Sequence, residues 1–131
     1  MTQLVNKKLI NKKQKPQVSH GIAFITATYN NTKITIADLK GNVLVWSTSG
    51  KLGFKGPRKS TPYAAGIVAK EVIDKAKEFG LRQVEVRVKG IGQGRESAIR
   101  TLNNMGISIL SIRDVTSMPH NGPRPRKPRR V

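Results

Sequence analysis

Residues 82–115 read RQVEVRVKGIGQGRESAIRTLNNMGISILSIRDV, and the change of period within them decides the fold. Val84, Val86 and Val88 fall on one side of an extended chain, with Glu85, Arg87 and Lys89 on the other. That two-residue period predicts a half-buried strand. The turn Gly90-Ile91-Gly92-Gln93-Gly94 follows, and then the period lengthens. Ile99, Leu102 and Met105 recur on the inward side of a helix, and Gly106 closes it. Ile107, Ile109 and Ile112 make a last strand ending near Val115. A strand, a helix and a strand in succession predict a parallel crossover, right-handed as such units are.

Upstream, Thr61-Pro62 supplies an N-cap and a proline at the first helical position. Ala65, Val68, Ala69, Val72, Ala76 and Phe79 then line one helix face, and Gly80 stops the helix. The opposite face carries Lys70, Glu71, Asp74, Lys75 and Lys77, the pattern of a solvated surface. A loop, SGKLGFKGPRKS (49–60), precedes this helix. Before it lie three β-branched or aromatic segments: GIAFITATYN (21–30), TKITIADL (32–39) and VLVWS (43–47). Asn30-Asn31 and Lys40-Gly41-Asn42 join them by short turns, which predicts an antiparallel meander. The order β-β-β-α-β-α-β predicts an α/β fold. Its sheet is mixed and five-stranded, an antiparallel three-strand meander plus one parallel β-α-β crossover, with two packed helices. The chain shows no internal repeat.

The 131 residues carry 25 Lys and Arg against 7 Asp and Glu, a formal net charge of +18. The first 20 residues hold five Lys and no acid, and residues 119–131 hold five cations and no acid. These ends are read as basic extended arms, 1–20 and 119–131, flanking a globular domain at 21–118. The C-terminal arm, PHNGPRPRKPRRV, contains four prolines, so it forms neither helix nor central strand. With little apolar bulk to bury, it stays extended, a shape suited to a row of phosphates. Arg124, Arg126, Lys127, Arg129 and Arg130 are its expected contacts.

No cysteine is present, and His20 and His120 are too few for an ordinary histidine metal site. Metal and cofactor are therefore expected to be absent. No apolar run approaches membrane-spanning length. An N-terminus without an apolar signal core argues against secretion, and it also lacks the Arg- and Ser-rich pattern of an import presequence.

Two internal segments are candidate RNA contacts. The loop from Lys51 to Lys59 holds Lys51, Lys55, Arg58 and Lys59 with no acid, and Gly53, Gly56 and Pro57 keep its backbone accessible. Phe54 within it either stacks on a base or anchors the loop to the core. Its neighbours Lys55 and Gly56 do not complete a paired-aromatic RNA-recognition signature. The glycine turn either is structural or offers backbone N–H groups and a helix N-terminus to a phosphate, with Arg95 alongside. It also resembles a dinucleotide fingerprint, with Asp114 twenty residues beyond Gly94. The third glycine of that fingerprint is replaced by Arg95, and one crossover cannot build the two-halved sheet it requires. A metal-dependent nuclease would need clustered carboxylates, and the first strand has none. The chain is accordingly read as non-catalytic, with no small-molecule substrate.

The runs TYNNTKIT, GFKGPRKSTPYAA, VKGIGQGRESAIR and DVTSMPHNG resemble, in order and spacing, the family of the eleventh protein of the small ribosomal subunit, bacterial type. The similarity covers about residues 18–131. It implies a structural constituent of the subunit platform that binds rRNA of the central domain and the 3′ end. It also implies the seventh and eighteenth small-subunit proteins as neighbours, with messenger RNA nearby. Gly53, Phe54, Gly56, Arg58, Lys59, Ser60, Thr61 and Pro62 match the family's basic loop and helix cap. Lys89, Gly90, Gly92, Gly94 and Arg95 match its glycine turn. Pro119, His120, Asn121, Gly122, Arg124, Pro125, Lys127, Arg129, Arg130 and Val131 match its C-terminal arm. His20 stands where Asp is usual, Ile91 and Gln93 replace prolines, and Pro123, Arg126 and Pro128 replace Cys, Pro and Lys. On this reading the protein is ribosomal, and its Lys, Asn and Ile usage fits a plastid, a mitochondrion or a bacterial cytoplasm. A free-standing nucleic-acid chaperone would use the same arms without a fixed address.

Overall fold

The computed structural model describes residues 17–128. Residues 1–16 of the expected N-terminal arm, and Arg129 and Arg130 of the C-terminal one, lie outside them. The meander forms as its turn chemistry directs: β1 (His20–Ala27), β2 (Thr32–Asp38) and β3 (Val43–Thr48) pair antiparallel in sequence. The first turn is held by Thr28, whose hydroxyl accepts the N–H groups of Asn30 and Asn31 at 3.3 and 3.1 Å. The second is held by Asp38, whose carboxylate accepts the N–H groups of Lys40 and Asn42, both at 2.9 Å. Tyr29 and Asn30, read as strand, belong to the first turn.

The predicted stops and starts of the first helix also hold. In α1 (Pro62–Ala76), Thr61 Oγ1 accepts the Ala64 N–H at 3.2 Å, and Pro62 occupies the first turn. The same hydroxyl donates to the Arg58 carbonyl at 2.9 Å, tying the helix cap to the basic loop. The final turn tightens to a 3-10 turn (Lys77–Phe79), and Gly80 ends it with φ 74°. Thr61→Ala should lower stability by about 1 kcal/mol in a urea titration, while Thr61→Ser should stay near the parent. The loop before the cap is not wholly irregular, since Gly56–Ser60 forms a 3-10 turn. β4 (Gln83–Lys89), α2 (Gly94–Asn104) and β5 (Ser108–Asp114) complete the chain.

The sheet order is β3-β2-β1-β4-β5. One parallel pair was expected, β4 with β5, and it is present. A second lies at the centre of the sheet, where β1 runs parallel to β4 with Ala23 opposite Val86. The connection through α1 therefore carries the chain from the edge strand β3 past β2 and β1. As the middle strand of the sheet, β1 buries Ile22, Ala23, Ile25 and Ala27 and leaves Phe24 and Thr26 half-buried, in keeping with its near-continuous apolar run GIAFITA.

Both helices cover one face. Ala23 and Ile25 of β1, Ile34 and Ile36 of β2, and Val84, Val86 and Val88 of β4 form a single core with Val68, Val72 and Ile73 of α1 and Ala98 and Leu102 of α2. Ile99 and Met105, expected inward, are only partly buried, and Ile112 on the edge strand is exposed. No helix covers the opposite face of the sheet among the described residues. Glu71 departs from its expected solvated role. Ser47 Oγ donates to it at 2.6 Å and Lys75 Nζ pairs with it at 2.8 Å, joining α1 to β3. Burial pushes the Glu71 carboxyl up, but the hydrogen bonds from Lys75 and Ser47 outweigh this and leave it below the ordinary value.

Candidate nucleic-acid interface

Because β1, β3, β4 and β5 run in the same direction, their carboxyl ends gather on one side of the molecule. The basic loop leaves β3 there, the glycine turn leaves β4, and the C-terminal arm leaves β5. Hydrogen bonds fix them to one another. Ser97 Oγ in the first turn of α2 donates to the Pro62 carbonyl at 2.7 Å, and the Gly90 N–H donates to Thr116 Oγ1 at 3.1 Å.

The glycines of the turn are required by packing. A Cβ on Gly90, at φ 101°, would overlap the Ala27 carbonyl oxygen, and one on Gly92 would overlap that of Thr28. One on Gly94 would overlap the Thr32 hydroxyl and come within 2.9 Å of Ala65 Cβ. Their N–H groups are partly spent as well: that of Gly92 donates to the Ala27 carbonyl at 3.0 Å. These contacts give the turn a structural role, and at the opening of α2 Gln93 makes no side-chain cap.

Arg95 is held inward. It donates to the Gly90 carbonyl at 2.7 Å and to Asp114 Oδ2 at 2.9 Å. Asp114 Oδ1 also accepts the hydroxyl and the N–H of Thr116, at 2.6 and 2.9 Å. This closed ring fixes the turn against the root of the C-terminal arm. It explains the pairing of Arg95 with an acid at Asp114, and makes Arg95 a positioning residue. The Thr116 hydroxyl and N–H, then Arg95, hold the Asp114 carboxyl down from 3.8 to about 2. A depressed carboxyl stabilises the fold above its unfolded value and loses that contribution as pH falls through the folded one. The ring's contribution should therefore disappear between about pH 4 and pH 2. Acid titration of thermal stability should show less loss in that window for Asp114→Asn than for the parent.

The loop presents Lys55 and Arg58 to solvent, with Lys59 half-buried. A Cβ built on Gly53 or Gly56 meets nothing within 4 Å, so this backbone is open to close approach. Phe54 leans edge-on against Tyr63 of α1, with ring centroids 6.2 Å apart, while Leu52 packs on the core. The loop's core anchor is thus Leu52, which sequence reading passed over although it is the loop's one aliphatic side chain. Lys51 is exposed and lies beside Trp46. Its ammonium lies 4.8 Å from the Trp46 ring centroid, and the neighbouring Lys75, together with burial, lowers its pKa. Lys89 is exposed at the end of β4. Beyond β5, residues 115–128 have no regular structure, and His120, Asn121, Arg124, Arg126 and Lys127 are all exposed. His20, expected in a flexible segment, is instead the first residue of β1. Among the described residues no group of three or more acids or histidines could hold a metal, and no helix is long and apolar enough to cross a membrane.

The family model described as Ribosomal protein S11 matches residues 21–130. The chain belongs to the ribosomal protein S11 family. A small ribosomal subunit protein uS11 of Rhodopseudomonas palustris (strain TIE-1) is 53% identical over 122 residues, covering 93% of this chain and 95% of the relative. Proteins of that name from Bradyrhizobium sp. (strain ORS 278) and Bradyrhizobium diazoefficiens are 52% identical over the same span. The S11 match begins at the first strand and runs through the basic loop, the glycine turn and most of the arm.

Proposed function

We propose that this S11-family protein is a non-catalytic structural component of a small ribosomal subunit, binding rRNA of the central domain and the 3′ end on the platform. The seventh and eighteenth small-subunit proteins are its neighbours, and messenger RNA leaves nearby. The observation that carries this reading is the convergence, within the family-matched residues, of the basic loop, the opening of α2 and an exposed cationic arm. Lys55, Arg58 and Lys59 approach phosphates from the loop, and Lys89 from the end of β4. The opening of α2 adds its N–H groups, with Gly92, Gly94 and Arg95 shaping that end. His120, Asn121, Arg124, Arg126 and Lys127 extend along the RNA from the arm, and Arg129 and Arg130, outside the described residues, add their charge. Phosphate contacts fix register and carry little sequence information, so the address is read from RNA shape.

Tagged protein should co-sediment with small subunits and stay bound through a moderate salt wash. Quantitative release into the soluble fraction, with no subunit-bound pool at any salt, would contradict the reading.

A further inference from the structure

The uncovered face of the sheet carries a continuous row of side chains, which the basic loop touches where the Lys51 ammonium lies over the Trp46 ring. Register places Trp46 of β3 opposite Thr35 of β2, Thr35 opposite Phe24 of β1, Phe24 opposite Arg87 of β4, and Arg87 opposite Arg113 of β5. Four inter-strand steps of ~4.8 Å make this row roughly 19 Å wide. At one end Trp46 is 48% exposed and, with Lys33, Thr35 and Val43, lines an open hollow of about 260 Å³. In the middle the Arg87 guanidinium lies 5.7 Å over the Phe24 ring. Lys33 and Lys89 are exposed one register step away, both opposite Thr26.

We infer that this face is a second RNA surface of the protein, on which an unpaired base stacks against Trp46 and the attached backbone runs along Lys33, Lys89, Arg87 and Arg113. The inference rests on the rRNA-binding reading and adds to it a surface that meets the first at Lys89.

Charge selects the occupant. The row and its flanks hold four cations, and the acid among them is Glu85. It is shared between Arg87 and Arg113 at 3.9 and 4.0 Å, so neither guanidinium is fully occupied. A protein partner would have to bring matching carboxylates to cover these groups, whereas a phosphate backbone supplies them along its length. The aromatic component selects a single strand: a duplex hides its base faces, while an unpaired base offers one to an indole or a guanidinium plane.

Trp46 is the only tryptophan of the chain, so it reports on this face directly. Full-length protein is titrated with dye-labelled single-stranded oligouridylate, following RNA anisotropy and Trp46 emission together. The expected result is saturating quenching that tracks the anisotropy. Trp46→Phe should bind nearly as well as the parent and Trp46→Ala about tenfold more weakly. Lys33→Ala with Arg113→Ala should weaken the quenching, and Lys55→Ala with Arg58→Ala should leave its amplitude intact. Binding by anisotropy with unchanged Trp46 emission would overturn the inference and leave the loop-and-arm reading standing. Quenching lost with the loop variants but kept in Lys33→Ala with Arg113→Ala would also overturn it. No anisotropy change at all would remove both.

Discussion

Gly90→Val should lower stability by about 3 kcal/mol or more, a fall in Tm of roughly 10 °C or more. Two independent causes add at this position. Its φ of 101° is one that a β-branched residue does not adopt without strain. The new side chain would also meet the Ala27 carbonyl, which belongs to the central strand and cannot rotate aside as a flexible side chain could. Moving Ala27 would disturb the Gly92 N–H bond to the same oxygen. Gly122→Val, where a Cβ meets nothing within 4 Å, is the control and should melt with the parent. Equal melting of Gly90→Val and Gly122→Val would show that the turn is looser than its packing implies.

Truncation after Gly122 should have the largest effect on RNA binding and little on folding. It removes Arg124, Arg126, Lys127, Arg129 and Arg130, five cations with no intervening acid. Each phosphate left without its cation flattens the slope of log K against log salt by roughly 0.7 to 0.9, so removing all five cations should flatten it by about 4. At low salt the affinity for small-subunit rRNA should fall on the order of a hundredfold or more, with the gap closing as salt rises. The described arm residues are exposed and contribute nothing to the core, so urea midpoints should coincide. An unchanged salt slope would mean that the loop and the sheet face carry the electrostatics.

Local features were legible because local chemistry writes them. The meander follows from Asn30-Asn31 and Gly41, α1 from Thr61-Pro62 and Gly80, and β4 from its valines. The parallel pairing of β1 with β4 was missed because alternation states which face a residue occupies, not which strand lies beside it. The near-continuous apolar run of β1 was the available signal for a central strand. The glycine turn was identified as special, but its reason lies in Ala27, Thr28 and Thr32, some sixty residues upstream in sequence. Arg95 was singled out for its charge. Its partner Asp114 was noticed through a spacing that suggested a cofactor, and the geometry gives that spacing a structural use instead. Trp46 passed as one more strand residue, since only cross-strand register brings it into line with Phe24, Arg87 and Arg113.

The central claim is a fixed address on small-subunit rRNA. Its most direct test is ultraviolet crosslinking of the tagged protein to RNA in its own cells, followed by sequencing of the attached fragments. The account predicts crosslinks confined to the central domain and 3′ end of one small-subunit rRNA. Crosslinks scattered over many transcripts would contradict it and make the basic arms those of a general nucleic-acid chaperone.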